Sequence, residues 1–207
     1  RKRRTAIENA EEAVYEEKKM EEMEVCFLMD RFGYMKLIDK NAYERNKEAV
    51  HNENKYVFNC MNTDKICIFT DTGKMHTIKA VDIPLGRFRD KGTPVDNLSN
   101  YDSSQERMLY VAPVGQLRSD RLLFVTKTSM CKLVEGAEFD VAKRTIASTK
   151  LADEDELIFI GSASEMEQIV LQSHGGCFLR FLTQEVSTMK KTALGVRGMK
   201  LADDDYL

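Results

Sequence analysis

The chain holds 207 residues, 43% of them apolar and 31% charged, a balance that fits one large all-β domain or two small ones. Its formal net charge of -3 argues against a uniformly basic nucleic-acid binder, so any such affinity must come from local patches. No apolar run approaches the ~18 residues of a membrane span. The five scattered cysteines (Cys26, Cys60, Cys67, Cys131, Cys177) form no C-x-x-C pair, which argues against a disulfide framework or zinc knuckle and for a reducing cytoplasm.

Residues 1 to 24 carry 6 basic and 8 acidic side chains, with Ile7, Ala10 and Val14 on one narrow stripe and Thr5 and Glu8 spaced as a capping box. A short, solvated helical lead-in is expected there, with a basic start but no apolar signal-peptide run behind it. The remaining chain, 25 to 207, is nearly neutral, with 25 basic against 26 acidic residues.

From Val25 the pattern turns to short apolar segments, "VCFLM", "KICIF", "RLLFV" and "QIVLQ", each followed by a turn and a second segment. Four such hairpins have their tips at Gly33, Gly73, Ser129 and Gly176, separated by 40, 56 and 47 residues. Those spacings suit one four-stranded unit per repeat, and glycine supplies the positive φ that a tight tip needs. Ser129 predicts a different turn. Further strands are expected at 56 to 62, 107 to 114 and 156 to 163. A lone unit of this kind exposes both sheet faces, whereas radial stacking buries them, so a propeller-like array is the favoured fold. "GVRGMKLADDDYL" at the end reads as the entry into a further repeat.

Basic residues collect in a loop after each hairpin. Arg87, Arg89 and Lys91 lie in the first, Lys143, Arg144 and Lys150 in the second, and Lys190, Lys191, Arg197 and Lys200 in the third. Equivalent loops of a radial array lie at equivalent points of its rim, so these clusters are expected to make a discontinuous positive track for duplex phosphates. Gly92, Gly195 and Gly198 would then allow close backbone approach. Hairpin residues Lys36, Lys74, Lys132 and Arg180, and Arg45 and Lys47 on the first blade's outer loop, complete the candidate DNA-binding set. His76 matches Lys36 and Lys132 in strand position, which makes it a candidate rim contact. The acidic runs at 152 to 156 and 202 to 206 lack EF-hand spacing and read as solvated turns. His51, His76 and His174 are too far apart to support a metal site, and Ile68, Phe69, Phe124 and Leu171 read as core. No catalytic set is present.

The hairpins, "KGTPVDNL", "GVRGMKL" and the "RRT" lead-in resemble the C-terminal domain of the A subunit of bacterial type IIA topoisomerases, DNA gyrase and topoisomerase IV. The resemblance implies an all-β β-pinwheel in which blades exchange strands, preceded by the helical segment leaving the DNA-gate core; the four hairpins, about four blades, would make its ring incomplete or small. It implies bending of double-stranded DNA by sequence-blind contacts, in partnership with the rest of the A subunit and with the B subunit in an A2B2 enzyme. ATP and Mg2+ would be used elsewhere in that enzyme, with no cofactor in this domain, and the setting would be the nucleoid in the cytoplasm. Gyrases carry a box of a glutamine, two arginines, two glycines, a lysine and a glycine on the first blade's outer loop. Here that stretch reads "AYERNKEAVHNENKY" (42 to 56), without the glycines and with Glu44, Glu48 and Glu53, which shifts the expectation towards a topoisomerase IV-like role or a degenerate gyrase. A protein-recognition propeller is the competing reading, although the W-D and G-H signatures of such repeats are absent.

Overall fold

The structure, a computed structural model, describes residues 21–207. The expected lead-in helix falls on residues outside that range except for its last few, and Glu24 already opens the first strand. Each repeat begins with an antiparallel hairpin: β1 (Glu24–Met29) with β2 (Tyr34–Asp39), β4 (Lys65–Thr70) with β5 (Lys74–Lys79), β8 (Arg121–Thr126) with β9 (Met130–Glu135), and β12 (Gln168–Gln172) with β13 (Phe178–Leu182). A third strand, β3 (Tyr56–Met61), β7 (Met108–Pro113) or β11 (Leu157–Ser162), pairs with the first strand of the hairpin in each of three sheets.

The fourth strand comes from the next repeat. β6 (Thr93–Pro94) follows the second hairpin yet pairs with β2, β10 (Thr145–Ala147) follows the third hairpin yet pairs with β5, and β14 (Val196–Arg197) follows the fourth hairpin yet pairs with β9. The sheet orders are therefore β3-β1-β2-β6, β7-β4-β5-β10 and β11-β8-β9-β14, with β12-β13 as a two-stranded sheet. Each complete sheet thus draws its last strand from its successor, the exchange between blades that the resemblance implies and that the repeat spacing alone does not disclose.

The sheets stack face to face. Phe27, Met29 and Leu37 pack on Ile66, Ile68 and Val111 between the first and second sheets. Phe69, Met75 and Cys67 meet Phe124, Val134 and Leu157 between the second and third. Leu123, Val125 and Leu133 meet Ile169 and Leu171 between the third and fourth. Strands covered on both faces read as unbroken apolar runs, which is why "VCFLM" and "KICIF" show no alternation. β12 alternates exposed and buried residues because its second face is uncovered, leaving Val170 60% exposed.

The outward face of the first sheet is covered by two short helices, α1 (Lys40–Arg45) and α2 (Lys47–Glu53), where an outer loop was expected. The Asp39 carboxylate accepts a hydrogen bond from the Ala42 N–H and starts α1, and Val50 packs with Ala42, Tyr43 and Phe88 over Cys26, Leu28 and Ile38. Two further single-turn helices, α3 (Val95–Leu98) and α4 (Val114–Leu117), serve as connections.

All four hairpin tips share one turn. The N–H of Gly33, Gly73, Ser129 and Gly176 donates to the carbonyl three residues earlier, and φ is 83°, 75°, 69° and 86° respectively. Ser129 thus corrects the expectation of a different turn. Its left-handed backbone is retained because the buried Oγ accepts a 2.7 Å bond from the Met199 N–H, and its carbonyl accepts from Gly198. The acidic runs also fix hairpin tips, since Asp155 accepts from the Thr128 backbone N–H at one of them and Asp205 from that of Gly175 at another.

Candidate nucleic-acid interface

The exchanged strands β6, β10 and β14 occupy the same edge of three successive stacked sheets. Since each basic segment runs into one of them, the three clusters line that edge. Register makes the equivalence residue-specific: Thr93 lies opposite Met35 and Ile146 opposite Met75, so Lys91 and Arg144, each two residues earlier, hold matching positions. Arg197, opposite Met130, lies within β14. Hydrogen bonds join the segments to one another. The Arg144 guanidinium donates 3.0 Å to the Leu98 carbonyl of the first segment, and the Lys150 N–H donates 3.1 Å to the Lys191 carbonyl of the third. The track is more continuous than separate loops on a rim would be.

The exposed members are Arg87, Arg89, Lys91, Lys143, Arg144, Lys150, Lys190, Arg197 and Lys200, with Lys74 beside them on β5 opposite Ala147. The Lys91 ammonium stands 4.4 Å over the Tyr34 ring, a cation–π contact that holds the charge in place. Lys190 and Lys191 are tethered by Glu138: the Lys190 ammonium lies 3.4 Å from its carboxylate, and Lys191 donates to its carboxylate through N–H and to its carbonyl through Nζ. Arg45 bonds back to the Asn41 carbonyl and Lys47 lies over Tyr43, both on the helical cap. Arg180 is exposed on β13, opposite Val170, in the sheet that takes no exchanged strand.

Lys36, His76 and Lys132 hold one equivalent position and share one role, which is to fasten the incoming segment. Lys36 donates to the carbonyls of Phe88 and Asp90. Lys132, 1% exposed, donates to those of Lys190, Lys191 and Ala193. Burial pushes the Lys132 ammonium down to about 8, with Glu138 only partly opposing it. Burial likewise lowers Lys36, against the raising influence of Asp90, Glu53 and Asp30. In the middle sheet His76 bonds Glu106 at 2.7 Å through Nε2 and the β10 residue Thr145 at 3.0 Å through Nδ1. His76 and Lys132 are thus enclosed clasps, not rim contacts. A lone basic side chain between buried strand residues is the signal that marks them.

The glycines serve the same exchange. A Cβ on Gly92 would stand 2.6 Å from the Met35 carbonyl oxygen, and one on Gly195 2.9 Å from that of Cys131. Gly198 faces the Cys131 sulfur, which would lie 2.6 Å from an added Cβ. The close approach expected of them is made to the neighbouring hairpin. Sequence reasoning also missed Glu138 and Tyr34, which position three of the cations and carry no recognisable motif.

Residues 64–103, 120–164 and 167–207 match the family model described as "DNA gyrase C-terminal domain, beta-propeller". The A subunit of DNA gyrase from Clostridium acetobutylicum is 28% identical over 95% of this chain and 25% of its own length. The A subunit of DNA topoisomerase 4 from Bacillus subtilis is 29% identical over 72% of this chain and 19% of its own. The chain thus spans about a quarter or less of these curated relatives. Among solved structures, the C-terminal domain of DNA topoisomerase IV superposes with a TM-score of 0.78 at 22% identity, covering 90% of this chain and 60% of that one. The E. coli ParC C-terminal domain gives 0.68 at 11% identity, covering 88% and 76%. The strand exchange and these neighbours give the fold as a β-pinwheel.

Proposed function

The chain belongs to the DNA gyrase C-terminal domain family, and from that premise we propose that it binds and bends duplex DNA along the edge formed by β6, β10 and β14. The observation that carries this reading is the linkage of three basic segments, through Arg144 to Leu98 and Lys150 to Lys191, on one edge of the stack. Cations spaced along such an edge meet successive phosphates of one curved duplex and read no base, so binding is sequence-blind. Bending a 20–30 bp site through 40–90° costs on the order of 1–6 kcal/mol, which phosphate contacts and counterion release must offset.

Within the full-length protein, the bent segment would be presented to the DNA gate for strand passage. Cleavage, and ATP hydrolysis on a B subunit with Mg2+, would occur outside this chain, in an A2B2 type II topoisomerase acting on DNA in the cytoplasm. The helices α1 and α2 span the stretch matched to the glycine-rich box of gyrases, and the lack of that box favours a topoisomerase IV-like role or a degenerate gyrase over full wrapping.

The test is duplex binding as a function of salt. Contact with at least three phosphates predicts a slope of log K against log[salt] of about -2.7 or steeper, equal on unrelated sequences. Negligible affinity at low salt would favour the protein-recognition reading instead.

A further inference from the structure

Beside the first basic segment lies a cleft of about 570 Å³, walled by α2, the turn before β2 and the loop leading to β6. Three cations line it: Lys36, Arg89 and Lys91. Three carboxylates line it as well, but two are engaged. Asp30 accepts the N–H groups of Phe32 and Tyr34, and Asp90 accepts that of Arg87. Glu53 makes no hydrogen bond or ion pair among the described residues, and it is the one charged side chain of α1 and α2 that lines the cleft. Lys40, Glu44, Arg45, Lys47 and Glu48 do not line it. Its negative charge reaches the cleft floor, where it favours the charged form of Lys36.

We propose that this cleft is a phosphate subsite of the DNA path and that Glu53 sets its occupancy. The inference rests on the reading of the exchanged edge as a duplex-binding surface. A phosphate entering beside Arg89 and Lys91 has the dimensions and charge that the cleft accepts, while the free carboxylate of Glu53 repels it and competes for the same cations. Because Glu53 is the last residue of an exposed helix, its removal alters charge without disturbing the apolar cap.

The experiment measures affinity of the 207-residue chain for a duplex of about 40 bp across a salt series, for wild type, Glu53→Gln, and Glu53→Gln combined with Arg89→Gln and Lys91→Gln. Thermal melting verifies that each is folded. Glu53→Gln should bind about three- to tenfold tighter at low salt, with a slope steeper by about 0.9, the increment of one added phosphate. The triple variant should lose that gain. If wild type binds duplex and Glu53→Gln matches it in affinity and slope, the subsite is overturned while the wider reading stands. If wild type fails to bind at all, the wider reading falls and this one with it.

Discussion

The ammonium of Lys132 donates a 2.6 Å hydrogen bond to the carbonyl oxygen of Ala193, 61 residues further along the chain. That bond, with those to Lys190 and Lys191, fastens the segment carrying the third basic cluster to the sheet that the segment completes. The expected consequence of Lys132→Met is loss of three carbonyl partners, a destabilisation of about 1–3 kcal/mol read by chemical denaturation. The pH dependence has a defined sign. In the folded state Lys132 loses its proton near 8, in the unfolded chain near its ordinary value, so between those limits its contribution makes stability rise with pH. The buried thiols of Cys26, Cys60, Cys67 and Cys131, all pushed up by burial to about 11 or 12, act in the opposite sense above their ordinary value. Subtracting the Lys132→Met profile from that of wild type isolates the rise; a flat difference would contradict the enclosed clasp.

His76 and Glu106 form the corresponding fastening of the middle sheet, with side chains 2% and 3% exposed. Burial pushes the Glu106 carboxyl up, but the neighbouring Thr70 hydroxyl, attraction to and hydrogen bonding with His76, and the Asp102 N–H hold it below its ordinary value, while the Thr72 hydroxyl donates to its other oxygen. Its stabilisation is therefore complete above the ordinary carboxylate range and lost as pH falls through the lowered value. Glu106→Gln should flatten the acid limb of the stability curve, and His76→Leu should loosen β10 at neutral pH, seen as faster amide exchange at Thr145 to Ala147.

Gly92 at a crossing and Gly176 at a hairpin tip separate two costs that sequence alone merges. Gly92→Ala meets both a positive φ and the Met35 carbonyl at 2.6 Å, and should cost about 2–4 kcal/mol. Gly176 has a φ of 86° but no atom within 4 Å of an added Cβ, so Gly176→Ala should cost only the backbone penalty of about 1 kcal/mol. Equal melting losses for the two would contradict the account of the crossing.

Much of the fold was legible because double-sided burial leaves unbroken apolar strands and because hairpin tips need positive φ. Membership of the sheets was less so. Nothing local in "GTPV" or "GVRG" says that the strand completes a sheet begun some sixty residues earlier, since register is settled by the approach of two backbones. Ser129 was misread for a related reason: the bond that holds its left-handed conformation comes from Met199, 70 residues away. The basic clusters were legible as composition, and their shared edge was expected from repeat equivalence. The tethering of Lys190 and Lys191 by Glu138 was not, nor was the conversion of Lys132 from candidate contact to clasp. The helical cap had a visible start in Asp39, but its apolar face is only Ala42, Tyr43 and Val50, too sparse to stand out.

The central claim is that one edge, and not total charge, holds DNA. Its most direct test compares two triple variants of equal charge change in duplex binding at fixed low salt. Lys91→Gln, Arg144→Gln and Arg197→Gln lie on the exchanged edge. Lys55→Gln, Arg107→Gln and Lys127→Gln do not: Lys55 and Arg107 precede β3 and β7 on the opposite edge, and Lys127 lies at a hairpin tip. The account predicts that the first variant loses at least about tenfold in affinity, alike on unrelated sequences, and shows a shallower salt slope, while the second stays within about twofold of wild type. Equal losses from both variants would contradict it.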